Sequence, residues 1–364
     1  MVTMRDVAAL AGVSQATVSY ALNGDPMISE ATRSRVMAAA QELDYAVNLS
    51  ARNLKSGKSG AIGLVVQEIA NPYVSQLADA ISEYALGKGL QTVIQQTLYR
   101  RESETTILEH VISAFCDAVI FSPSKLTSRQ IKAQLHGKPA LLLSAQDENP
   151  EYDVLQTPGK RAMREATDYL FASGCRNPVF FGMPYIPLTE CVNPLNSATT
   201  RVVGYESSLA NHGMKPGPQQ FINPPDWSPG TSRQTMLDYI DYDLTSNYKN
   251  SPKNGCSNEV SFDAVVCIND AAALGVIRAL IDRNISIPDQ VSVIGFDGIS
   301  QGAFIAPSLS TVAFDFDDMA RQAVDTLVMR LDEASGKTQT KTRQQPKRLT
   351  AHYQLLQRES TKSL

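Results

Sequence analysis

Hydrophobic positions in the first 45 residues recur at helical spacing and predict three short helices. The first carries Val7, Leu10 and Ala11 on one face and is expected to end at Gly12. The second is predicted from residue 15 to residue 22, with Val18 and Leu22 turned towards the first. The apolar positions that predict the third helix are Val36, Ala39, Ala40 and Leu43.

Polar residues suited to capping precede each predicted helix. Thr3 and Asp6 have the spacing of a capping box, Ser14 precedes the second helix, and Ser29 precedes the third. Three short helices with a glycine at the first tight turn are typical of a helix-turn-helix unit. Small side chains are expected to let the first two helices cross closely: Ala8, Ala11 and Ala16.

The outer face of the second helix is left to meet a DNA major groove. This face carries Gln15, Ala16, Thr17 and Tyr20. The pattern by itself also fits a small three-helix packing unit that has no partner.

From residue 61 onwards, short apolar runs alternate with segments of helical length. The first series is AIGLVV, QTVIQQ, AVIFS and ALLLSA, and the second is PVFFG, FDAVVCI and QVSVIGF. Continuous apolar strands separated by helices predict parallel sheets covered on both faces. Two series predict two α/β lobes with a ligand crevice outside the carboxyl ends of the strands. The final KRLTAHYQLLQREST is predicted to form one strand, and the polar run 242–262 an inserted surface loop.

Composition limits the function classes. The chain has 364 residues, of which 43% are hydrophobic and 19% charged, with a net charge of −4, which excludes a polybasic coat. Contact with nucleic acid would therefore come from a local patch of basic side chains. Residues 1–58 carry six basic and five acidic side chains, a net charge of +1 that hints only weakly at such a patch.

The cysteines and the N-terminus point to a cytoplasmic protein without a bound cofactor. Five cysteines without a CxxC pair, and four histidines that do not cluster near them, predict buried free thiols rather than a metal site. We expect neither export nor a membrane span, because no signal-peptide pattern or apolar run of spanning length occurs. Since neither GxGxxG nor GxxxxGK[ST] occurs, we predict no nucleotide cofactor.

Three segments resemble the DNA-binding head and hinge of the LacI/GalR family of bacterial transcription regulators. They are MRDVAALAGVSQATVSYALNG, ISEATRSRVMAAAQELDY and NLSARNLKSGKSGAIGLVV, and the spacing between them matches as well. The resemblance implies an α/β protein with a helix-turn-helix domain over 1–46 and a hinge helix and linker over 47–60. It implies a two-lobed core of parallel sheets over 61–364, similar to the periplasmic sugar-binding proteins, with three chain crossings between the lobes.

The resemblance also implies which residues bind DNA. Gln15, Ala16 and Tyr20 occupy the base-reading positions, and Thr17 and Ser19 lie nearer the phosphates. The hinge helix, which in this family orders on operator DNA, would comprise Asn48, Ala51, Arg52 and Leu54. The last of these would be an apolar wedge that enters the minor groove and unstacks a base step.

The sequence departs from the family at several of these places. Most relatives carry Arg where this chain has Tyr20, and a tyrosine offers one hydroxyl instead of a bidentate guanidinium. We therefore expect a half-site that differs from the usual family sequence at that base pair. Val47 occupies a position where relatives commonly have a proline, so the backbone before the hinge helix is less restricted and hinge folding is less pre-organised. Pro158 and Gly159 replace an Asp-Asn pair, and the stretch 183–199 is longer than usual, so the ligand pocket is expected to be reshaped.

The family assigns effector binding to side chains at strand ends and in loops. In this chain they are Tyr73, Arg201, Trp227, Asn269 and Asp297. The aspartate would accept hydrogen bonds from sugar hydroxyls, and the tryptophan ring would lie against a sugar face. On pattern alone, Asp297 also fits a cap or turn, Arg201 a solvated charge, and Trp227 and Tyr73 packing positions. Asp270 could merely cap the helix that follows it.

These observations favour a ligand-responsive transcription regulator, a repressor that binds a palindromic operator as a homodimer. Its effector is expected to be a carbohydrate in the cleft between the lobes. A tetramer is not expected, because no apolar heptads follow the predicted final strand. A solute-binding protein without a transcriptional role would share the core but would not need the head. An enzyme would need an ordered Ser/His/Asp, Cys/His or metal-ligand set, and none is apparent in the sequence.

Overall fold

The computed structural model divides the chain into two compact units, Met1–Ser59 and Gly60–Leu364. It describes residues 2–22, 25–45, 59–145, 149–187, 196–250, 260–336 and 345–364. The predicted hinge residues lie outside the described residues: Asn48, Ala51, Arg52 and Leu54.

The first unit contains the three predicted helices, α1 (Met4–Ala11), α2 (Gln15–Leu22) and α3 (Glu30–Glu42). The α1 helix ends at Gly12, whose φ of +64° is a left-handed conformation that favours glycine. At its start, the Asp6 carboxylate accepts hydrogen bonds from the Thr3 N–H (2.8 Å) and the Thr3 hydroxyl (2.7 Å). The predicted helices and the first turn are therefore confirmed.

A small apolar cluster holds these helices together. Val7, Val18 and Val36, one from each helix, are fully buried and lie in this cluster. Ala8 and Ala11 are also buried, as the close helix crossing requires. Ala16 is exposed and lies outside the cluster, so its expected part in the crossing was wrong. The reason is geometric, because Ala16 lies on the side of α2 opposite to the buried Val18.

The second unit contains two six-stranded sheets, each the centre of one lobe. The strands of the first sheet are β1 (Ala61–Val66), β2 (Gln91–Gln96), β3 (Ala118–Phe121), β4 (Ala140–Leu143), β5 (Asp153–Gln156) and β11 (Arg348–Thr350). Their order is β11-β5-β4-β3-β1-β2, and all neighbouring pairs are parallel.

The strands of the second sheet are β6 (Pro178–Phe181), β7 (Phe221–Ile222), β8 (Ala264–Cys267), β9 (Ser292–Asp297), β10 (Ser310–Phe314) and β12 (Tyr353–Leu356). Their order is β12-β10-β9-β8-β6-β7. Only the β10–β12 pair among these neighbours is antiparallel. The two predicted parallel-sheet lobes are thus confirmed.

Helices connect the strands of both sheets. They are α4 (Pro72–Gly87), α5 (Arg101–Thr106), α6 (Ser113–Phe115), α7 (Ser128–Leu135), α8 (Gly159–Ala172), α9 (Ser197–Asn211), α10 (Pro229–Asn250), α11 (Asp270–Asp282) and α12 (Phe316–Ala334). A π-helical segment, Ile107–Ile112, joins α5 to α6, and short 3₁₀ turns occupy Pro218–Gln220 and Ser300–Ala303. Continuous apolar strands such as β1 are fully covered, which is why the sequence pattern revealed them.

Two expectations about chain organisation were wrong. The C-terminal segment forms two strands, because Arg348–Thr350 pairs with the first sheet and Tyr353–Leu356 with the second. The run from residue 242 is not all loop, because α10 continues to Asn250. The Asp243 carboxylate, on this part of α10, accepts hydrogen bonds from the Ser261 N–H (2.7 Å) and hydroxyl (2.6 Å). Residues 251–259 lie outside the described residues.

The chain passes between the two sheets three times, after β5, after β10, and between β11 and β12, as expected. Of the cysteines in the described ranges, Cys116, Cys175 and Cys267 are free and buried, as predicted. Within the same ranges, no helix combines the length and apolar character needed to cross a membrane.

Candidate functional site

The candidate DNA-binding surface is the outer face of α2. Gln15, Ala16 and Tyr20 are exposed on it, with 48% of Tyr20 accessible to solvent. The opposite face buries Val18 and Ala21. The three predicted base-reading positions therefore lie on the side of α2 that the apolar cluster does not use.

Thr17 and Ser19, which are predicted to lie nearer the DNA phosphates, are half-buried. Thr17 takes part in the cap of α2, since its N–H donates to Ser14 Oγ (3.1 Å) and its hydroxyl lies 2.9 Å from the same oxygen. Ser19 is also engaged within the protein. Both lie on the margin of the exposed face.

The candidate effector site lies at the carboxyl ends of neighbouring strands of the second sheet. Asp297 ends β9, and Asn269 follows β8, which pairs with β9. The Trp227 indole N–H donates to the carbonyl of Gly182 (2.6 Å), directly after β6, the other neighbour of β8. Three predicted effector residues thus lie along one edge, where open α/β sheets bind ligands.

Arg201 reaches the same edge from the first turns of α9. Its Nη1 donates to the carbonyl of Ile268 (2.6 Å), its Nη2 lies 3.4 Å from Asp297 Oδ1, and its guanidinium carbon lies 4.0 Å from the centre of the Phe296 ring. Only 8% of the residue is exposed. The alternative of a solvated helix-start charge is therefore wrong, because three contacts hold the guanidinium inside the protein.

Asp297 is buried in an unusual backbone conformation. It is 3% exposed, and its φ of +131° is one that side-chain-bearing residues rarely adopt. It does not cap a helix, since the next short helix begins three residues later and has Ile299 before it. Strain of this kind is often found at ligand sites, where the surrounding structure maintains it.

The pair of Arg201 and Asp297 has unused hydrogen-bonding capacity. Among the described residues, neither Asp297 Oδ1 nor Arg201 Nε has a hydrogen-bond partner, although both atoms are buried. Burial raises the pKa of Asp297 to about 8, against the opposing effect of the Arg201 charge, and the nearby Asp270 adds to the rise. The edge therefore offers a buried acceptor, which Arg201 Nη2 approaches only to 3.4 Å, and a buried donor, neither of which makes a hydrogen bond in the described part of the chain.

The helix cap that the sequence pattern allowed for Asp270 is made by Asn269 instead. Asn269 is the residue that caps α11, since its Oδ1 accepts the N–H of Ala272 (2.9 Å). Asp270 is fully buried, and its carboxylate accepts the N–H groups of Gly298 and Ile299 (both 2.8 Å). Asp270 thus fixes the loop that follows Asp297, and only the side-chain amide nitrogen of Asn269 is left for a ligand.

Tyr73 brings the first lobe to this edge. It is the second residue of α4, and its ring packs against Phe314 (6.3 Å between ring centres) and Phe316 (5.6 Å). Burial raises its pKa, Asp297 raises it further, and the Arg201 charge opposes the rise. Tyr73 of the first lobe therefore packs against the end of β10 in the second lobe, and its phenol is within electrostatic range of Asp297 and Arg201.

The lobes also touch through Gln76, one turn further along α4. Its Oε1 accepts the N–H of Ser300 (3.1 Å), and its Nε2 donates to Gln301 Oε1 (3.3 Å). Sequence reasoning missed Gln76 and also Phe296, which supports the Arg201 guanidinium. No signal pointed to either, because a glutamine on a helix and a phenylalanine in a buried strand are ordinary there.

Trp227 is half-buried and packs against the main apolar core. Because its indole N–H is bound to Gly182, the ring has a fixed position near the strand ends. In the described ranges, no three His, Cys, Asp or Glu side chains form a group that could hold a metal ion.

Comparison with known proteins agrees with this arrangement. Residues 3–48 match the family model of bacterial regulatory proteins, lacI family. Residues 59–232 match periplasmic binding proteins and sugar binding domain of LacI family, and residues 167–361, more than half of the chain, match the periplasmic binding protein-like domain.

Curated relatives cover nearly the whole chain and are regulators rather than enzymes. The HTH-type transcriptional regulator AscG of Escherichia coli (strain K12) is 29% identical over 91% of this chain and 93% of its own length. The ribose operon repressor of the same strain is 27% identical over 92% and 94%. A crystal structure of the Lac repressor dimer bound to operator and the anti-inducer ONPF shares the fold, with a TM-score of 0.76 at 24% identity over 100% of this chain and 99% of that one. Together, the three-helix head and the two-lobed core show that this chain belongs to the LacI family of bacterial transcription regulators.

Proposed function

We propose that this regulator represses transcription and changes its affinity for operator DNA when a carbohydrate binds between the two lobes of the core. The observation that carries the proposal is the buried pair of Arg201 and Asp297, in which Arg201 Nε and Asp297 Oδ1 make no hydrogen bond within the described residues although Nη2 lies 3.4 Å from Oδ1. Sugar hydroxyls both donate and accept hydrogen bonds, so one ligand of this class satisfies both atoms. Tyr73 and Trp227 supply apolar ring faces nearby.

The effector is tested through the single tryptophan of the chain, Trp227. Fluorescence is recorded while ribose, galactose, lactose, sucrose, cellobiose and two nucleobases are added separately to the full chain. We expect a saturable change with at least one sugar, and a loss of that change in Asp297→Ala. Asp241→Ala is the matched control, because Asp241 is an exposed carboxylate paired with Arg283 on the surface. Saturation by a nucleobase alone would replace the carbohydrate with a purine or pyrimidine effector.

DNA recognition by α2 is proposed from its exposed face. Gln15, Ala16 and Tyr20 contact base edges in the major groove, and Thr17 and Ser19 lie towards the phosphates. Selection of binding sites from random DNA tests this assignment. Tyr20→Arg should gain a guanine at one position of each half-site, since arginine binds guanine in a bidentate manner. The same selected sequence for the wild type and Tyr20→Arg would contradict the assignment.

We propose a homodimer, with domain limits of 1–46 for the head, 47–60 for the hinge and 61–364 for the core. Two heads related by a two-fold axis match a palindromic operator. Sedimentation of the full chain with an operator duplex should give two chains per duplex. One chain per duplex would contradict the dimer. Because its target is chromosomal DNA, the proposed place of action is the cytoplasm, and no catalytic step is proposed.

A further inference from the structure

Gly159, the first residue of α8, packs directly against the start of α9. A Cβ atom at position 159 would lie 2.4 Å from Thr200 Oγ1 and 3.4 Å from Arg201 Cγ. Real Cβ atoms essentially never approach another atom closer than 3.0 Å. The close approach of the two helices therefore depends on the missing side chain.

The Thr200 hydroxyl cannot easily move out of the way. It donates a hydrogen bond to the carbonyl of Ser197 (2.7 Å). The side chain is also branched at Cβ, so one of its two other staggered rotamers puts the methyl group into the same space, and both rotamers break this hydrogen bond. A side chain at position 159 is thus expected to shift the first turn of α9 instead.

Such a shift would reach Arg201, the next residue. An increase from 2.4 Å to an ordinary contact of 3.4 Å requires a movement of about 1 Å. The Nη1 contact with Ile268 is 2.6 Å, and the Nη2 distance to Asp297 is 3.4 Å. A displacement of that size is enough to disturb both contacts, because hydrogen bonds weaken steeply beyond their normal length.

We propose that Gly159 is a positioning residue for Arg201. By leaving room for Thr200, it lets α9 approach α8 closely enough to hold the guanidinium over Phe296 and beside Asp297. The effect of Gly159 on ligand binding rests on the proposed function. The effect of Gly159 on the placement of Arg201 does not rest on it, so the two effects can be tested separately.

The first test measures the effect of the Arg201 charge on Asp297 without any ligand. Carboxyl carbons of aspartate are labelled with ¹³C in the full chain, and the Asp297 signal is identified by its loss in Asp297→Asn. The charged or titratable groups near this carboxyl are Arg201, Asp270 and Tyr73. In Gly159→Ala, the titration midpoint of Asp297 should rise by about one pH unit, because the favourable effect of a close cation is reduced.

Two further variants make the test specific. Gly230→Ala is the matched control, since Gly230 is the second residue of α10 and no atom lies within 4 Å of the Cβ that it would gain. It should leave the midpoint unchanged. Gly159→Ala/Thr200→Ala removes the clashing hydroxyl and should restore the wild-type midpoint. An unchanged midpoint in Gly159→Ala, with or without a lower Tm, would show a purely structural contact and overturn the proposal.

If Gly159→Ala is unfolded in buffer, the titration is repeated in trimethylamine N-oxide, which favours the folded state. A wild-type midpoint of Asp297 under those conditions would equally overturn the proposal. With a sugar that saturates the wild-type fluorescence change, Gly159→Ala should bind about tenfold more weakly, as expected when a charged hydrogen bond is lost. Unchanged sugar affinity together with a raised midpoint would retain Gly159 as the positioning residue and refute the proposed role of Arg201 in effector binding.

Discussion

Replacement of Asp297 by asparagine should remove part of the pH dependence of the free energy of unfolding. The side chain is 3% exposed, and burial raises its pKa to about 8 from an ordinary value of 3.8. Between these two values the unfolded chain carries a charge at this position that the folded chain does not. The folded state then binds more protons, so its stability falls as the pH rises.

The magnitude follows from the pKa difference. One group of this kind changes the free energy of unfolding by about 1.4 kcal/mol per pH unit. Its contribution is fully present below pH 3.8 and is lost as the pH approaches 8. From pH 5 to pH 7 the loss is about 3 kcal/mol. Burial raises the pKa of Asp270 to about 6 and that of Glu206 to about 7, so they add slope of the same sign. The comparison must therefore be between the wild type and the variant.

The assay is urea unfolding of the full chain at pH 5, 6, 7 and 8, followed by the fluorescence of Trp227, which reports only on the core. Asp297→Asn should lose about 3 kcal/mol of the change between pH 5 and pH 7. Asp241→Asn is the control, because the Arg283 partner lowers the Asp241 pKa, so that its effect is constant over this range. An unchanged slope in Asp297→Asn would refute the reasoning, because it would mean that the pairing with Arg201 keeps the buried carboxyl ionised.

The remaining predictions concern stability away from the cleft. Arg330→Met should lower the free energy of unfolding by about 3 kcal/mol or more, because it leaves the buried Asp153 carboxylate without its cation. Arg278→Met is the control in the same urea assay. It should lower the free energy of unfolding by about 1 kcal/mol or less, because the pair of Arg278 with Asp282 is exposed on the arginine side. Ser360→Ala should lower the free energy of unfolding by about 1–3 kcal/mol, because the buried Ser360 hydroxyl donates to the carbonyl of Val293 and accepts the N–H of Ser310. Ser363→Ala is the control and should have little effect, since Ser363 is exposed. Gly12→Ala should destabilise the head by about 1–2 kcal/mol through its left-handed backbone, measured as faster amide hydrogen exchange in α1 and α2. An equal loss of stability in Arg330→Met and Arg278→Met, or in Ser360→Ala and Ser363→Ala, would contradict these assignments. Unchanged amide exchange in Gly12→Ala would contradict the assignment for the head.

The elements that the sequence predicted well are those whose local pattern and final environment agree. β1 and β3 are continuous apolar runs and are buried along their whole length. The caps at Ser14 and Ser29 also depend only on neighbouring residues, and both form as expected. Local rules sufficed for these elements because no distant residue was needed to decide them.

Elements determined by distant partners were missed or misassigned. The predicted single C-terminal strand divides because its two halves pair with different sheets. β5 and β7 are short, with four and two residues, and each is held by pairing with a strand from an earlier part of the chain. α10 continues into a polar run that looks like a loop, because contacts such as that of Asp243 with Ser261 fix its surroundings from outside the helix. In each case, the deciding contact comes from another part of the chain.

The candidate site shows the same division in its chemistry. Asp297 and Asn269 could be placed at the carboxyl ends of buried strands from the sequence, where open α/β sheets bind ligands. The burial of Arg201 could not be predicted from the sequence, since it depends on Phe296, Ile268 and the space left by the missing side chain of Gly159. The family resemblance named the residues, and the structure supplied the distances and the buried unpartnered atoms.

The contacts of the first lobe at the cleft indicate where a ligand can act on the conformation. Arg201, Asp270 and Asp297 all belong to the second lobe, so their mutual contacts do not depend on the separation of the lobes. Tyr73 and Gln76 meet the second lobe from α4, and their contacts do depend on it. A ligand shifts the balance of two arrangements only by the difference in its affinity for them. We therefore expect contacts confined to the second lobe to set how tightly an effector binds. We expect the change in operator affinity to depend on contacts that the effector makes with Tyr73 or displaces from Gln76.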